Sequence, residues 1–149
     1  MKGVGRVILV AEDMDLHFEA LKALLERACL SLHVEHELIQ TKSLAEVEKY
    51  LVACEQQGIP LLVIFDNLMD LPGGRFELEQ AIRTLWDEEP ETWRGNVPIV
   101  IYAETDKFDR LPRRRNSAVV HKVPESGENN LRKLRTAVRA GLQALMTPA

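Results

Sequence analysis

The sequence lacks any apolar run long enough to cross a membrane, and it lacks the long N-terminal apolar segment of a signal peptide. It also lacks an excess of basic residues, since its formal net charge is −4, so nothing in its charge favours nucleic-acid binding. Internal repeats and low-complexity stretches are absent as well. We therefore expect a cytoplasmic protein without a membrane span and without a nucleic-acid partner.

Cysteine is scarce too, which argues against a disulfide framework. The two cysteines, Cys29 and Cys54, both fall within helical patterns, and we expect each to be a buried thiol. What the sequence does contain is 149 residues of which 46% are hydrophobic. That length and composition predict a single domain over residues 1–149 with a substantial core.

Five short apolar runs predict β-strands, at residues 7–11, 34–39, 61–66, 97–103 and 118–120. The first, third and fourth runs are almost continuously apolar, which is typical of strands buried on both faces. The second has charges interleaved, as expected nearer a sheet edge. Strands that alternate with helices over short connections predict an α/β domain with a parallel sheet. A sheet with helices on one face only is disfavoured, because the buried runs show no polar alternation.

Apolar residues at helical spacing predict four helices, at residues 15–29, 44–56, 76–85 and 129–145. Ser43 and Glu46 fit a capping box at the start of the second helix. The segment 105–116 is different, because Pro112 and three arginines limit it to one or two helical turns. We therefore expect a shortened helix between the fourth and fifth strands.

Charged residues follow three of the predicted strands: the pair Glu12 and Asp13, then Asp66, then Lys122. The carboxyl ends of parallel strands share one edge of a sheet, where α/β proteins bind ligands. Three carboxylates gathered there repel one another unless a cation joins them, and Mg²⁺ is the natural cation for oxygen ligands. With a lysine ammonium nearby, the group suits acceptance of a phosphoryl group by a carboxylate. The alternative is that each residue is simply a solvated strand end.

The whole chain resembles the receiver domains of two-component response regulators, of the chemotaxis-regulator type. The motifs that carry the resemblance are Glu12-Asp13, Asp66 after an apolar strand, Gly74 eight residues later, Pro98 at the fourth strand, and Lys122. The resemblance implies a flavodoxin-like, doubly wound sheet of five parallel strands in the order 2-1-3-4-5. It implies two helices on one face of that sheet and three on the other.

The resemblance also implies a role for each site residue. Asp66 is expected to be the phosphoacceptor, Glu12 and Asp13 to hold Mg²⁺ with the backbone carbonyl of Leu68, and Lys122 to contact the phosphoryl group. The expected donor is a histidine kinase or a histidine phosphotransfer protein. The chain would not be an enzyme, but a monomer or weak homodimer that signals through a further protein partner.

Two switch positions depart from the family pattern. The Thr or Ser that usually ends the fourth strand is Ala103 here, and the Tyr or Phe three residues before the lysine is Val119. These departures favour an alternative, a pseudo-receiver that binds partners without being phosphorylated. A third reading is a small hydrolase with Asp66 as its nucleophile, but the chain shows no separate general acid and no substrate-recognition domain.

Overall fold

The structure is a computed structural model that describes residues 6–12, 14–31, 36–66, 97–103, 118–121 and 127–146. Within these residues the strands are β1 (Val7–Ala11), β2 (Glu37–Thr41), β3 (Leu61–Asp66), β4 (Ile99–Ala103) and β5 (Ala118–His121). The helices are α1 (Asp15–Ser31), α2 (Leu44–Gln57) and α3 (Gly127–Met146). The predicted helix at 76–85 and the segment 105–116 lie outside the described residues.

All strand pairs in the sheet are parallel, and the strands lie in the order β2-β1-β3-β4-β5. At the end of β1, Ala11 pairs with Thr41 on one side and with Phe65 on the other. The prediction of an α/β protein with a parallel sheet is confirmed. Because every strand runs in the same direction, all the carboxyl ends lie along one edge of the sheet.

Both faces of the sheet are covered by helices, and two apolar clusters result. On one face, alternate strand residues such as Leu9 pack in a cluster with Leu51 of α2. On the other face, residues such as Ile64 pack in a cluster with Leu25 of α1 and Leu142 of α3. Every residue of β1 is buried, which explains why its sequence is continuously apolar rather than alternating. The one-face arrangement was rightly disfavoured.

The ends of α2 show why this helix begins and stops where it does. The Ser43 hydroxyl accepts a hydrogen bond from the Glu46 N–H at 3.2 Å, as predicted. The Glu46 carboxylate does not return to Ser43 but accepts from the backbone N–H of Lys42, one residue earlier, at 3.1 Å. Gly58 ends the helix in the left-handed region with φ 66°, a conformation that glycine adopts without strain.

Several predicted boundaries differ from the structure. The second strand was expected at 34–39 but occupies Glu37–Thr41, because pairing with β1 continues to Ala11 and carries the polar end of β2 into the sheet. β4 begins at Ile99 rather than at residue 97, because Pro98 has no backbone N–H to donate to the ladder. The last helix begins at Gly127, two residues before the expected start.

One glycine inside α3 is explained by close packing on the sheet. A Cβ built at Gly141 would lie 2.9 Å from Cδ1 of the fully buried Leu62. Glycine weakens a helix interior by about 0.5–1 kcal/mol relative to alanine, and here it permits α3 to approach β3 closely. In the part of the chain that the structure describes, no helix is long and apolar enough to cross a membrane.

Both cysteines are free and buried, as predicted. Burial raises the pKa of the Cys29 thiol from its ordinary value of 9.0 to about 11, with a smaller contribution from Glu26. Burial also raises the pKa of Cys54, and the negative charge of Glu37 adds to this effect. Both thiols therefore stay protonated in the folded chain at pH values where they ionise in the unfolded chain.

The Cys29 shift predicts a specific loss of stability at alkaline pH. Between pH 9.0 and about 11 the unfolded chain releases the Cys29 proton and the folded chain retains it, so the free energy of unfolding falls as the pH rises. Urea denaturation at a series of pH values should show this decline. In Cys29→Ala, which is less stable overall, the decline should be shallower than in the wild type. Parallel pH profiles for the two proteins would contradict the assignment.

Candidate functional site

The structure brings two of the predicted site residues to the same edge of the sheet. Glu12 directly follows β1, and Asp66 is the last residue of β3, the strand next to β1. Because Ala11 and Phe65 are paired, Glu12 and Asp66 each follow a paired residue on adjacent central strands. Asp66 in turn pairs with Tyr102 of β4. The strand ends that carry these two acidic residues are therefore neighbours.

Glu12 is almost fully buried at this edge, with 1% of its surface exposed. Its Oε1 accepts a hydrogen bond from the Met14 N–H at 3.0 Å, which folds the side chain over the turn into α1. The same Oε1 lies 3.8 Å from Nδ1 of His17, a half-exposed side chain on the first turns of α1. The site thus holds a buried carboxylate with an imidazole beside it.

Two residues at the end of β2 hold the backbone of Glu12. The Glu12 N–H donates to the Thr41 carbonyl at 3.0 Å, and the Gln40 side-chain amide donates to the Glu12 carbonyl, also at 3.0 Å. Gln40 was missed by the sequence analysis because the second strand was expected to end at residue 39. The sequence carried no local signal for this role, which depends on the register of β2 against β1.

A charged pair on the surface, Lys42 and Asp15, is linked to Glu12 through the Gln40 side chain. The Nζ of Lys42 is 2.9 Å from Oδ1 of Asp15, and the Gln40 amide donates to the same oxygen at 3.1 Å. The hydrogen bond from Lys42, followed by that from Gln40, lowers the pKa of Asp15 below its ordinary value. Asp15 and Lys42 are both exposed, so this pair contributes little to stability.

The structure describes only some of the remaining predicted site residues. Asp13, Leu68 and Lys122 lie outside the described residues, although Lys122 comes directly after β5 in the chain. The backbone places Ala103 at the end of β4, paired with His121. Val119 lies within β5 and pairs with Ile101. The strand positions of both switch residues are therefore those expected from the sequence.

The chemistry of the donors suits a hard divalent cation. Glu12 supplies a buried carboxylate, and acidic residues with backbone carbonyls are the ligands that Mg²⁺ prefers. Among the described residues, no three His, Cys, Asp or Glu side chains form a metal-binding group. Asp13 and the side chain of Asp66 do not belong to that part of the structure.

Comparison with known proteins supports the fold. No protein-family model matches the chain, and no curated protein is similar enough to match it. Among solved structures, a 3-dehydroquinate dehydratase-like protein from Bifidobacterium longum is similar, with a TM-score of 0.54 at 16% sequence identity. The match covers 95% of this chain and 99% of that chain. At this identity the similarity shows a shared α/β fold and carries no information about activity.

Proposed function

We propose that the chain is a receiver domain that accepts a phosphoryl group on Asp66 in a Mg²⁺-dependent reaction. The observation that carries the proposal is the position of Glu12 and Asp66 at the carboxyl ends of the adjacent strands β1 and β3. The strand order β2-β1-β3-β4-β5 and the helices on both faces support it, since the flavodoxin-like receiver topology has the same arrangement. The donor would be a histidine kinase or a histidine phosphotransfer protein.

Each residue has a defined role in this proposal. Glu12 and Asp13 would hold Mg²⁺ together with the Leu68 carbonyl and Asp66. When bound, the cation would supply positive charge that offsets the charge of the phosphoryl oxygens. The ammonium group of Lys122 binds one phosphoryl oxygen and orients the group for in-line attack.

The transfer itself is a displacement at phosphorus. An Asp66 carboxylate oxygen forms the new O–P bond while the N–P bond of the donor phosphohistidine breaks, and the electron pair of that bond stays on the ring nitrogen. Because the other ring nitrogen carries a proton, the donor leaves as a neutral imidazole. The chain is thus a stoichiometric acceptor that signals through protein contacts, and we do not propose an enzymatic turnover.

Ala103 and Val119 mark what distinguishes this domain from the usual receiver pattern. Ala103 ends β4 one residue after Tyr102, which pairs with Asp66. A methyl group there cannot donate the hydrogen bond that a Thr or Ser hydroxyl gives to a phosphoryl oxygen. This feature favours the second candidate, a pseudo-receiver that recognises its partner without phosphorylation.

One experiment separates the two candidates. The purified chain is incubated with Mg²⁺ and acetyl phosphate, and the mass of the intact chain is measured by mass spectrometry. A parallel sample is treated with beryllofluoride in place of acetyl phosphate. We expect one phosphoryl group on the wild type and none on Asp66→Asn. Omission of Mg²⁺ should abolish the adduct, because the cation offsets the charge on the entering group.

The matched control is Asp70→Asn, which removes a carboxylate four residues further along the chain. It should accept the phosphoryl group as the wild type does. An adduct that persists in Asp66→Asn, or a wild type that forms none, would overturn the phosphoacceptor proposal. A wild type that neither forms the adduct nor binds Mg²⁺ would establish the pseudo-receiver instead.

A further inference from the structure

The side chain of Gln40 links the edge strand β2 to Glu12 and to the first residue of α1. Its Nε2 donates to the backbone carbonyl of Glu12 at 3.0 Å and to Oδ1 of Asp15 at 3.1 Å. The Glu12 carbonyl belongs to the peptide group that joins Glu12 to Asp13. The hydrogen bond from Gln40 therefore acts on the backbone of Glu12, directly after β1.

The orientation of the Gln40 amide is determined by its two partners. A backbone carbonyl and a carboxylate oxygen only accept hydrogen bonds, and the amide NH₂ has two N–H groups, one for each partner. The flipped amide would place its oxygen against both acceptors and lose both bonds.

The bond from Gln40 is part of a wider set that holds Glu12 in place. The Glu12 N–H donates to the Thr41 carbonyl, so consecutive residues of β2 hold the N–H and the carbonyl of the same residue. The Glu12 side chain accepts the hydrogen bond from Met14. Because Glu12 is 1% exposed, its backbone groups have little access to water as an alternative partner.

A second, outer set of bonds extends from the same place to the start of α2. Lys42 pairs with Asp15 through its side chain and with the Glu46 carboxylate through its backbone N–H, and Glu46 bonds to Ser43. These side chains are exposed, so each bond is weakened by competition with water. The partly buried bond from Gln40 to the Glu12 carbonyl is the one expected to determine the backbone geometry.

We propose that Gln40 is a positioning residue that holds the Glu12 backbone, and with it the buried Glu12 carboxylate, in the position that binds the divalent cation. This inference rests on the proposed function, because it assigns the acidic pair to a cation. In the absence of the Gln40 bond, the Glu12 carbonyl loses a restraint. The cation then has to order Glu12 on binding, and its affinity falls.

The test compares two substitutions of Gln40 by Mn²⁺ titration followed by electron paramagnetic resonance, with Mg²⁺ as competitor. Gln40→Glu is almost isosteric but replaces the donor NH₂ with an acceptor oxygen and adds a negative charge. Electrostatic attraction alone would make Gln40→Glu bind the cation more tightly, whereas loss of positioning makes it bind more weakly. Gln40→Met removes the donors without adding charge.

We expect both variants to bind Mn²⁺ about five-fold more weakly than the wild type, the change expected from one lost net hydrogen bond. Lys42→Met and Ser43→Ala, which alter only the outer bonds, should bind within about two-fold of the wild type. All titrations are made well below the unfolding temperature of each variant. If Gln40→Met does not fold, Gln40→Asn retains the amide but shortens its reach, and it serves in its place.

The possible outcomes are distinguishable. A wild type that binds no cation would contradict both the proposed function and this inference. A wild type that binds while Gln40→Glu binds as tightly or more tightly overturns the inference and leaves the proposed function standing. Unchanged affinity in Gln40→Met has the same meaning. Weaker binding in both Gln40 variants, with the outer variants unchanged, establishes the positioning role.

Discussion

Replacing Phe65 with alanine is expected to lower the free energy of unfolding by about 3–5 kcal/mol. Phe65 is among the largest fully buried side chains and lies on the central strand β3, in the cluster that packs with α2. Its paired neighbours are Ala11 on β1 and Ile101 on β4. The small side chain of Ala11 cannot extend into the vacated volume, so much of the cavity is expected to remain.

Urea denaturation of the wild type and Phe65→Ala measures this loss. The control is Leu16→Ala on α1, where the leucine is 81% exposed, and the expected change there is within about 0.5 kcal/mol. A Phe65→Ala loss below about 2 kcal/mol would contradict the close packing of Phe65 in this cluster.

A second large effect is expected at Leu142 on α3, where Leu142→Ala should cost about 2–5 kcal/mol. Leu142 is fully buried, and α3 packs against β3, β4, β5 and α1. Leu142 belongs to the apolar cluster that α3 forms with α1 and with strand residues such as Ile64. Removal of this side chain therefore loosens the packing of α3 in that cluster.

The same helix offers a matched control in Leu131, which is 46% exposed. Leu131→Ala makes the same chemical change with about the same effect on helix propensity, so the difference between the two variants isolates burial. We expect Leu131→Ala to cost less than about 1 kcal/mol in thermal or urea unfolding. Equal losses for the two variants would contradict the packing of α3 on the sheet.

The central strands were predictable because burial on both faces requires a run of apolar residues in the local sequence. β1 and β3 are covered on both faces, so each consists of consecutive apolar residues ahead of an acidic one. The edge strand β2 was misplaced because its last residues, Gln40 and Thr41, are polar. Their place in the sheet follows from pairing with Val10 and Ala11 of β1.

The residues of the candidate site were likewise only partly predictable from the sequence. Glu12 and Asp66 were predictable, because each directly follows an apolar strand in the sequence. The contribution of Gln40 was not predictable, since it depends on the register of β1 against β2 across 28 residues of chain. The proximity of His17 to Glu12 likewise depends on the direction in which α1 leaves the sheet.

Local sequence was sufficient to predict the α/β class, the buried strands and the acidic residues at their ends. Burial and helix periodicity act over a few residues, so they leave a pattern in the chain itself. The tertiary structure alone decided that Glu12 and Asp66 follow adjacent strands and that β2 supplies the bonds to the Glu12 backbone. Those features are set by strand order and register, which connect residues distant in sequence and leave no local pattern.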